Sequence, residues 1–254
     1  MTTLRAESTL VALLLALTGL AWWSSVDRMH GMDAGPWTGL SPLGWFLSVW
    51  VVMMATMMLP SAIPTVAAYG SLTRDRTALA PLLFAAGYLA VWAAAGLLAF
   101  ALTFGGGRIA GGALAWDRAG RWAAGATLLL AAVYQLTPLK DACLGRCRAP
   151  LAFLLGSWRP GRGGGLRMGM RHGAWCAGCC WALMASLFAL GVMSIAWTAF
   201  VAGIVALEKI LPWRRVATGA TTALLAALGL LLLTAPGSVP LLTLPGSGPM
   251  PMGG

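Results

Sequence analysis

Leu43 to Tyr69 reads LGWFLSVWVVMMATMMLPSAIPTVAAY, an apolar run without one charged side chain. A run of about 18 or more such residues is long enough to cross the hydrocarbon core of a bilayer as a helix. That length decides the class, because much of the chain repeats the pattern. Of its 254 residues 59% are apolar and 9% charged, against roughly half and a quarter in soluble domains. At about 20 residues per span, the chain holds several spans and has no room for a substantial soluble domain. The sequence therefore predicts an all-α fold, a polytopic transmembrane helix bundle. Residues 1–235 form a single domain and residues 236–254 a disordered tail rich in Pro and Gly.

Working outward from this run gives about seven spans. Thr9 to Val26 follows Arg5 in the manner of a signal peptide, but the small-residue cleavage pattern is missing and Trp22 and Trp23 sit where interfacial anchors do. It is read as a retained first span. In the second, Leu43 to Tyr69, Pro60 and Pro64 are expected to kink the far end. A third span, Leu79 to Phe104, is expected to break at Gly105 to Gly107, and a fourth fits Trp122 to Thr137. Pro138 to Gly173 then reads as the longest polar connection, flexible at Gly161 to Gly165. Ala174 to Leu207 is too long for one helix and divides near Gly191 to Ser194 into a fifth and a sixth span. The seventh covers Val216 to Ala235.

Seventeen Lys and Arg against seven Asp and Glu leave a net charge of +10. In a soluble protein that balance would point to nucleic acid, but in a membrane chain it reports topology, and no nucleic-acid partner follows. With a cytoplasmic N-terminus, only Arg28, Arg108, Arg118 and Arg121 of the seventeen fall outside. Because cytoplasmic loops carry the excess of basic residues, the N-terminus is placed inside and the C-terminus outside.

This topology gathers the chemistry on one face. Cys143 and Cys147, spaced C-x3-C, follow the fourth span, while His172, Cys176, Cys179 and Cys180 lie where the fifth begins. Five cysteines is an odd number without a disulfide framework, and all five fall on the reducing side. At about 100° per residue, Cys176, Cys179, Cys180 and Met184 share one helical stripe and face a common neighbour. Thiolate and thioether are soft donors suited to Cu(I), and thiolates with imidazole also suit zinc. The second span adds Met53, Met54, Met57 and Met58, stacked at i, i+4 near mid-membrane. Met also fills apolar helices without a role, and cysteines are also small buried hydrophobes, but here both occur together.

Glu208 and Lys209 end the sixth span's apolar run, where the carboxylate could tune a site, neutralise a cation or pair with Lys209. Gln135 is expected to make a helix-to-helix hydrogen bond. Met29, His30, Met32 and Asp33 form an outward run that could hold copper weakly, and Met250 and Met252 in the tail read as chance.

The runs Met53 to Pro60, Tyr134 to Lys140 with Cys143 and Cys147, Cys179 to Met184, Gly191 to Met193, and the Glu208–Lys209 pair together resemble the predicted metal-binding integral membrane proteins, domain-of-unknown-function family 2182. The resemblance covers Leu43 to Pro212 and implies a polytopic protein of the bacterial cytoplasmic (inner) membrane that binds metal, often labelled a copper chaperone. Three functions then compete. The first is copper trafficking, with cytoplasmic thiols and mid-membrane thioethers as successive sites and delivery to a copper-dependent membrane or exported protein. The second is thiol–disulfide exchange by the C-x-x-C of Cys176 and Cys179, which belongs on the outer side and leaves the methionines idle. The third is an accessory subunit of a copper membrane oxygenase. A standalone oxygenase wants several imidazoles, and the chain has only His30 and His172. No catalytic residue and no nucleotide-binding loop is assigned.

Overall fold

The computed structural model describes residues 19, 20, 23, 42–73, 79–110, 119–158, 162–190 and 194–239. These residues hold eight α-helices and no strand. The helices are α1 Leu43–Leu72, α2 Leu79–Ala110, α3 Arg121–Gln135, α4 Pro138–Cys147, α5 Pro150–Ser157, α6 Arg162–Leu190, α7 Ile195–Ile210 and α8 Arg214–Thr234. Most of the expected first span, the Met29 to Asp33 run, and Met250 and Met252 lie outside the described residues.

Four helices are long and apolar enough to cross a membrane: Leu43–Leu72, Leu79–Gly106, Gly163–Leu190 and Arg214–Thr234. The pair α3 and α4, bent by 70° at its break, makes a fifth if counted as one span. Two expected spans come out short, α3 with 15 residues and α7 with 16. The long apolar stretch does divide where expected, α6 ending at Leu190 and α7 starting at Ile195. Neither Pro60 nor Pro64 ends α1, which stays helical through both.

Three local expectations are corrected. First, α2 does not break at Gly105 to Gly107 but runs on to Ala110. A glycine costs a helix about 1 kcal/mol relative to Ala, and in an apolar phase leaving backbone groups unpaired costs more. Second, Pro138 to Gly173 is not one loop, since it carries α4, α5 and the start of α6. Its basic residues resemble loop composition, yet the start signals are present: the Thr137 side chain caps α4 by accepting from the Lys140 N–H at 3.3 Å, and Pro138 and Pro150 open α4 and α5. Third, order continues past residue 235 through a 3-10 turn, Pro236–Ser238, to Val239, which is buried in the core.

Of the glycines expected to loosen residues 161–165, Gly165 instead packs α6 against α2. Gly165, Gly169 and Gly173 recur every four residues on the face that meets α2. A Cβ at Gly165 or Gly173 would stand 3.0 Å from the carbonyl oxygen of Ala80 or Tyr88, and one at Gly169 would overlap the Phe84 carbonyl. Gly87 of α2 returns the approach toward the Leu166 carbonyl. Small residues at this spacing let backbones touch where lipid offers no hydrophobic drive between helices. The result places α6 at the centre, against α2, α3 and α4.

Gly169→Ala should therefore lower the detergent melting temperature, through overpacking of about 1–3 kcal/mol. Gly105→Ala, which meets nothing within 4 Å, should leave it unchanged or raise it. Equal melting of the two variants would refute the close approach.

Candidate metal centre

Cys147 is the last residue of α4, and Cys176 and Cys179 sit one helical turn apart on α6. The packing of α4 against α6 brings their three Sγ atoms within 4.8 Å of one another. Cys147 and Cys179 are 3.9 Å apart, sulfur to sulfur. With metal–sulfur bonds of about 2.3 Å, a trigonal three-sulfur site needs sulfurs about 4 Å apart, so the spacing fits one soft ion. All five cysteines are buried free thiols. Those of Cys179 and Cys180 donate to the Cys176 carbonyl at 3.1 and 2.8 Å. Cys143, one turn before Cys147, stands outside the trio and packs where a Cβ at Gly178 would lie 2.9 Å from its sulfur.

Cys176 is also held from two other helices. The Lys209 ammonium of α7 donates to its Sγ at 3.1 Å, and the Tyr88 hydroxyl of α2 lies 2.9 Å from the same atom. Both side chains reach on to α1: Lys209 donates to Ser61 Oγ at 2.8 Å, and Tyr88 donates to the Met58 carbonyl at 3.4 Å. The thiol cluster thus abuts the last turn of the methionine run. Met53, Met54, Met57 and Met58 are all buried in the same core as the cysteines, and Thr198 Oγ1 donates to Met53 Sδ at 3.8 Å. Met184 is buried there as well.

Other expected groups take different places. His172, one turn before Cys176, stands outside the trio among the rings of Phe84, Tyr88 and Phe153, at 5.9, 5.8 and 5.0 Å between centroids, and its Nδ1 has no hydrogen-bond partner. Glu208 does not pair with Lys209. It accepts from Lys140 of α4 at 2.6 Å, with both side chains almost wholly buried. Neighbouring residues on a helix project about 100° apart, so Glu208 turns to α4 while Lys209 turns to the thiols. Gln135 is buried with neither of its polar atoms hydrogen-bonded, contrary to the expected interhelical bond. Sequence reading set Lys209 on the same face as the thiols without pairing it with a sulfur, and it missed Tyr88 and Ser61. The available signal was a lysine and a tyrosine set in otherwise apolar runs.

Further contacts fasten α4 to the α7–α8 corner. Arg148 donates to the carbonyls of Glu208, at 3.2 Å, and Leu211, and Arg214 meets Asp141 at 2.9 Å on the surface.

A helical bundle with three converging buried thiols and a neighbouring set of thioethers has the donor set of a soft-metal-binding protein. The family model described as copper chaperone, PpoB2, matches residues 47–232, and the chain belongs to that family. The matched stretch holds every cysteine, the four methionines of α1, and Lys140, Glu208 and Lys209. No curated protein and no solved structure matches the chain.

The Lys140–Glu208 pair carries a stability prediction. Removing one partner strands the other charge, at a cost of about 3–5 kcal/mol. Glu208→Leu or Lys140→Met alone should sharply lower the melting temperature, and the double variant should recover most of the loss. A double variant as unstable as the singles would show that the two charges do not act as a pair.

Proposed function

We propose that the protein is an integral membrane copper chaperone that takes Cu(I) as cargo on Cys147, Cys176 and Cys179. Met53, Met54, Met57 and Met58 form a second station, from which the ion goes to a copper-dependent membrane or exported protein. The observation that carries this proposal is the convergence of three buried thiol sulfurs from two helices within 4.8 Å. Membership of the copper chaperone family supports copper as the ion. Thiols also suit zinc, but the thioethers beyond them favour Cu(I). Cys143, Cys180 and Met184 belong to the same proposed donor region. His172 flanks it, and Glu208 serves it indirectly by holding α4 through Lys140.

The proposal takes seven spans in a bacterial cytoplasmic membrane, with the N-terminus inside and the C-terminus outside, and residues 1–235 as one domain. It equates the copper chaperone family with the predicted metal-binding integral membrane proteins that the motifs resemble. Burial argues against thiol–disulfide exchange as the main activity, since an attacking thiol needs access and Cys176 and Cys179 are at most 3% exposed.

Purified protein, titrated anaerobically with Cu(I) against a chromophoric chelator, should bind copper stoichiometrically. Cys147→Ser, Cys176→Ser and Cys179→Ser should each abolish most of that binding. Undiminished binding in all three would make these thiols structural and sink the proposal.

The second station has its own test. Met-to-Leu exchange keeps volume and usually costs less than about 1.5 kcal/mol in a packed core. The triple variant Met54→Leu, Met57→Leu, Met58→Leu should fold and keep Cu(I) on its thiols, yet lose copper movement in vesicles. Unchanged movement would reduce the methionines to packing.

A further inference from the structure

We propose that Lys209 is the built-in counter-cation of the thiol site: its ammonium holds Cys176 Sγ as a ligand and balances the negative charge that a thiolate–metal complex creates inside the bundle. The inference rests on the function proposed above and names the residue that sets the strength of that site.

The geometry is specific. Lys209 Nζ donates to Cys176 Sγ at 3.1 Å and to Ser61 Oγ at 2.8 Å. The Ser61 hydroxyl spends its own proton on the Met58 carbonyl at 2.7 Å, so its lone pairs are left to receive the ammonium. Ser61 therefore anchors the cation on α1 while the sulfur of α6 lies beside it. Among the described residues, no carboxylate shares this position. Glu208 is taken by Lys140, and Asp141 by Arg214. Of the neighbouring cations, Arg148 is committed to two backbone carbonyls and Arg146 lies over the Trp175 ring at 4.1 Å. Among the described residues, Lys209 is the cation hydrogen-bonded to a thiol sulfur.

The charge balance gives this contact a purpose. When Cu(I) binds among the three sulfurs, two of them lose their S–H protons to solvent while the third stays a neutral thiol donor, so the complex carries one negative charge. A divalent ion bonded to three thiolates leaves the same single negative charge. An unbalanced charge in an apolar interior is costly, and one fixed ammonium on a ligand sulfur makes either complex neutral. Lys209 thus compensates charge without discriminating between the ions, a task left to the donors themselves.

The test compares full-length wild-type protein with Lys209→Arg, Lys209→Gln and Lys209→Met in detergent, free of oxygen. It reads Cu(I) affinity by chelator competition, stoichiometry by the sulfur-to-copper absorption band, and folding by thermal melting. Groups that support a metal ligand typically contribute about 10–100-fold to affinity. The Gln and Met variants should lose affinity on that scale at unchanged stoichiometry, whereas the Arg variant, which keeps the charge, should retain most of it. Neutral variants that bind as tightly as wild type would overturn the inference, as would an Arg variant as weak as the Met variant. If both neutral variants misfold, Ser61→Ala decides: weaker binding supports the anchored cation, and unchanged binding overturns it. Failure of wild-type protein to bind Cu(I) would instead remove the proposed function itself.

Discussion

A charge cannot stand unpaired inside an apolar bundle, and the buried contact between Lys140 and Glu208 at 2.6 Å is where that constraint shapes the molecule. Lys140 belongs to a helix that turns away from α3 by 70°, and its partner lies near the end of α7. The pair leaves α4 little choice of where to dock. Arg148, bonded to the carbonyls of Glu208 and Leu211, holds the same corner from the far side of Cys147. Desolvation offsets much of the Coulomb gain of such a pair, so its chief effect is registry. Cys147 arrives beside Cys176 and Cys179 because the residues on either side of it are tied to α7.

The class of the fold was legible because apolar length is a strong signal. The helices α1 and α8, and the division between α6 and α7, follow from runs that only a membrane or a large core would bury. The helices α4 and α5 were not legible, since their basic and small residues share a composition with loops. Their start signals, Thr137-Pro138 and Ala149-Pro150, are local and easily outweighed by the glycines that follow. Those glycines misled twice. Composition marks Gly165 as flexible, whereas the packing uses its missing side chain, with those of Gly169 and Gly173, to admit the backbone of α2.

Part of the site was legible in the same way. The thiol stripe of Cys176, Cys179 and Cys180 follows from helical spacing alone, and the structure keeps all three buried on α6. Of the roles open to Glu208 from the sequence, pairing with Lys209 is excluded because adjacent helical residues diverge while i, i+3 or i, i+4 residues meet, and neutralising a cation holds through Lys140. The true partner lies 68 positions away, a separation that no local pattern encodes. Tyr88 and Ser61 were hidden for the same reason, each gaining its place only when α2, α6 and α1 pack together.

The two sets of soft donors differ in what they demand of their surroundings. A thiol must lose its proton to ligate and then brings a negative charge with it, so it needs a cation within reach, and Lys209 donates to Cys176. A thioether is neutral and needs none, which suits Met53, Met54, Met57 and Met58 in a core where Thr198 is the polar contact to their sulfurs among the described residues. Lys209 and Tyr88 lie at the boundary, each touching the Cys176 sulfur on one side and the Met58–Ser61 turn on the other. A monovalent ion crossing that boundary would leave an anionic site for a neutral one. Lys209 and Tyr88 are already in contact with both.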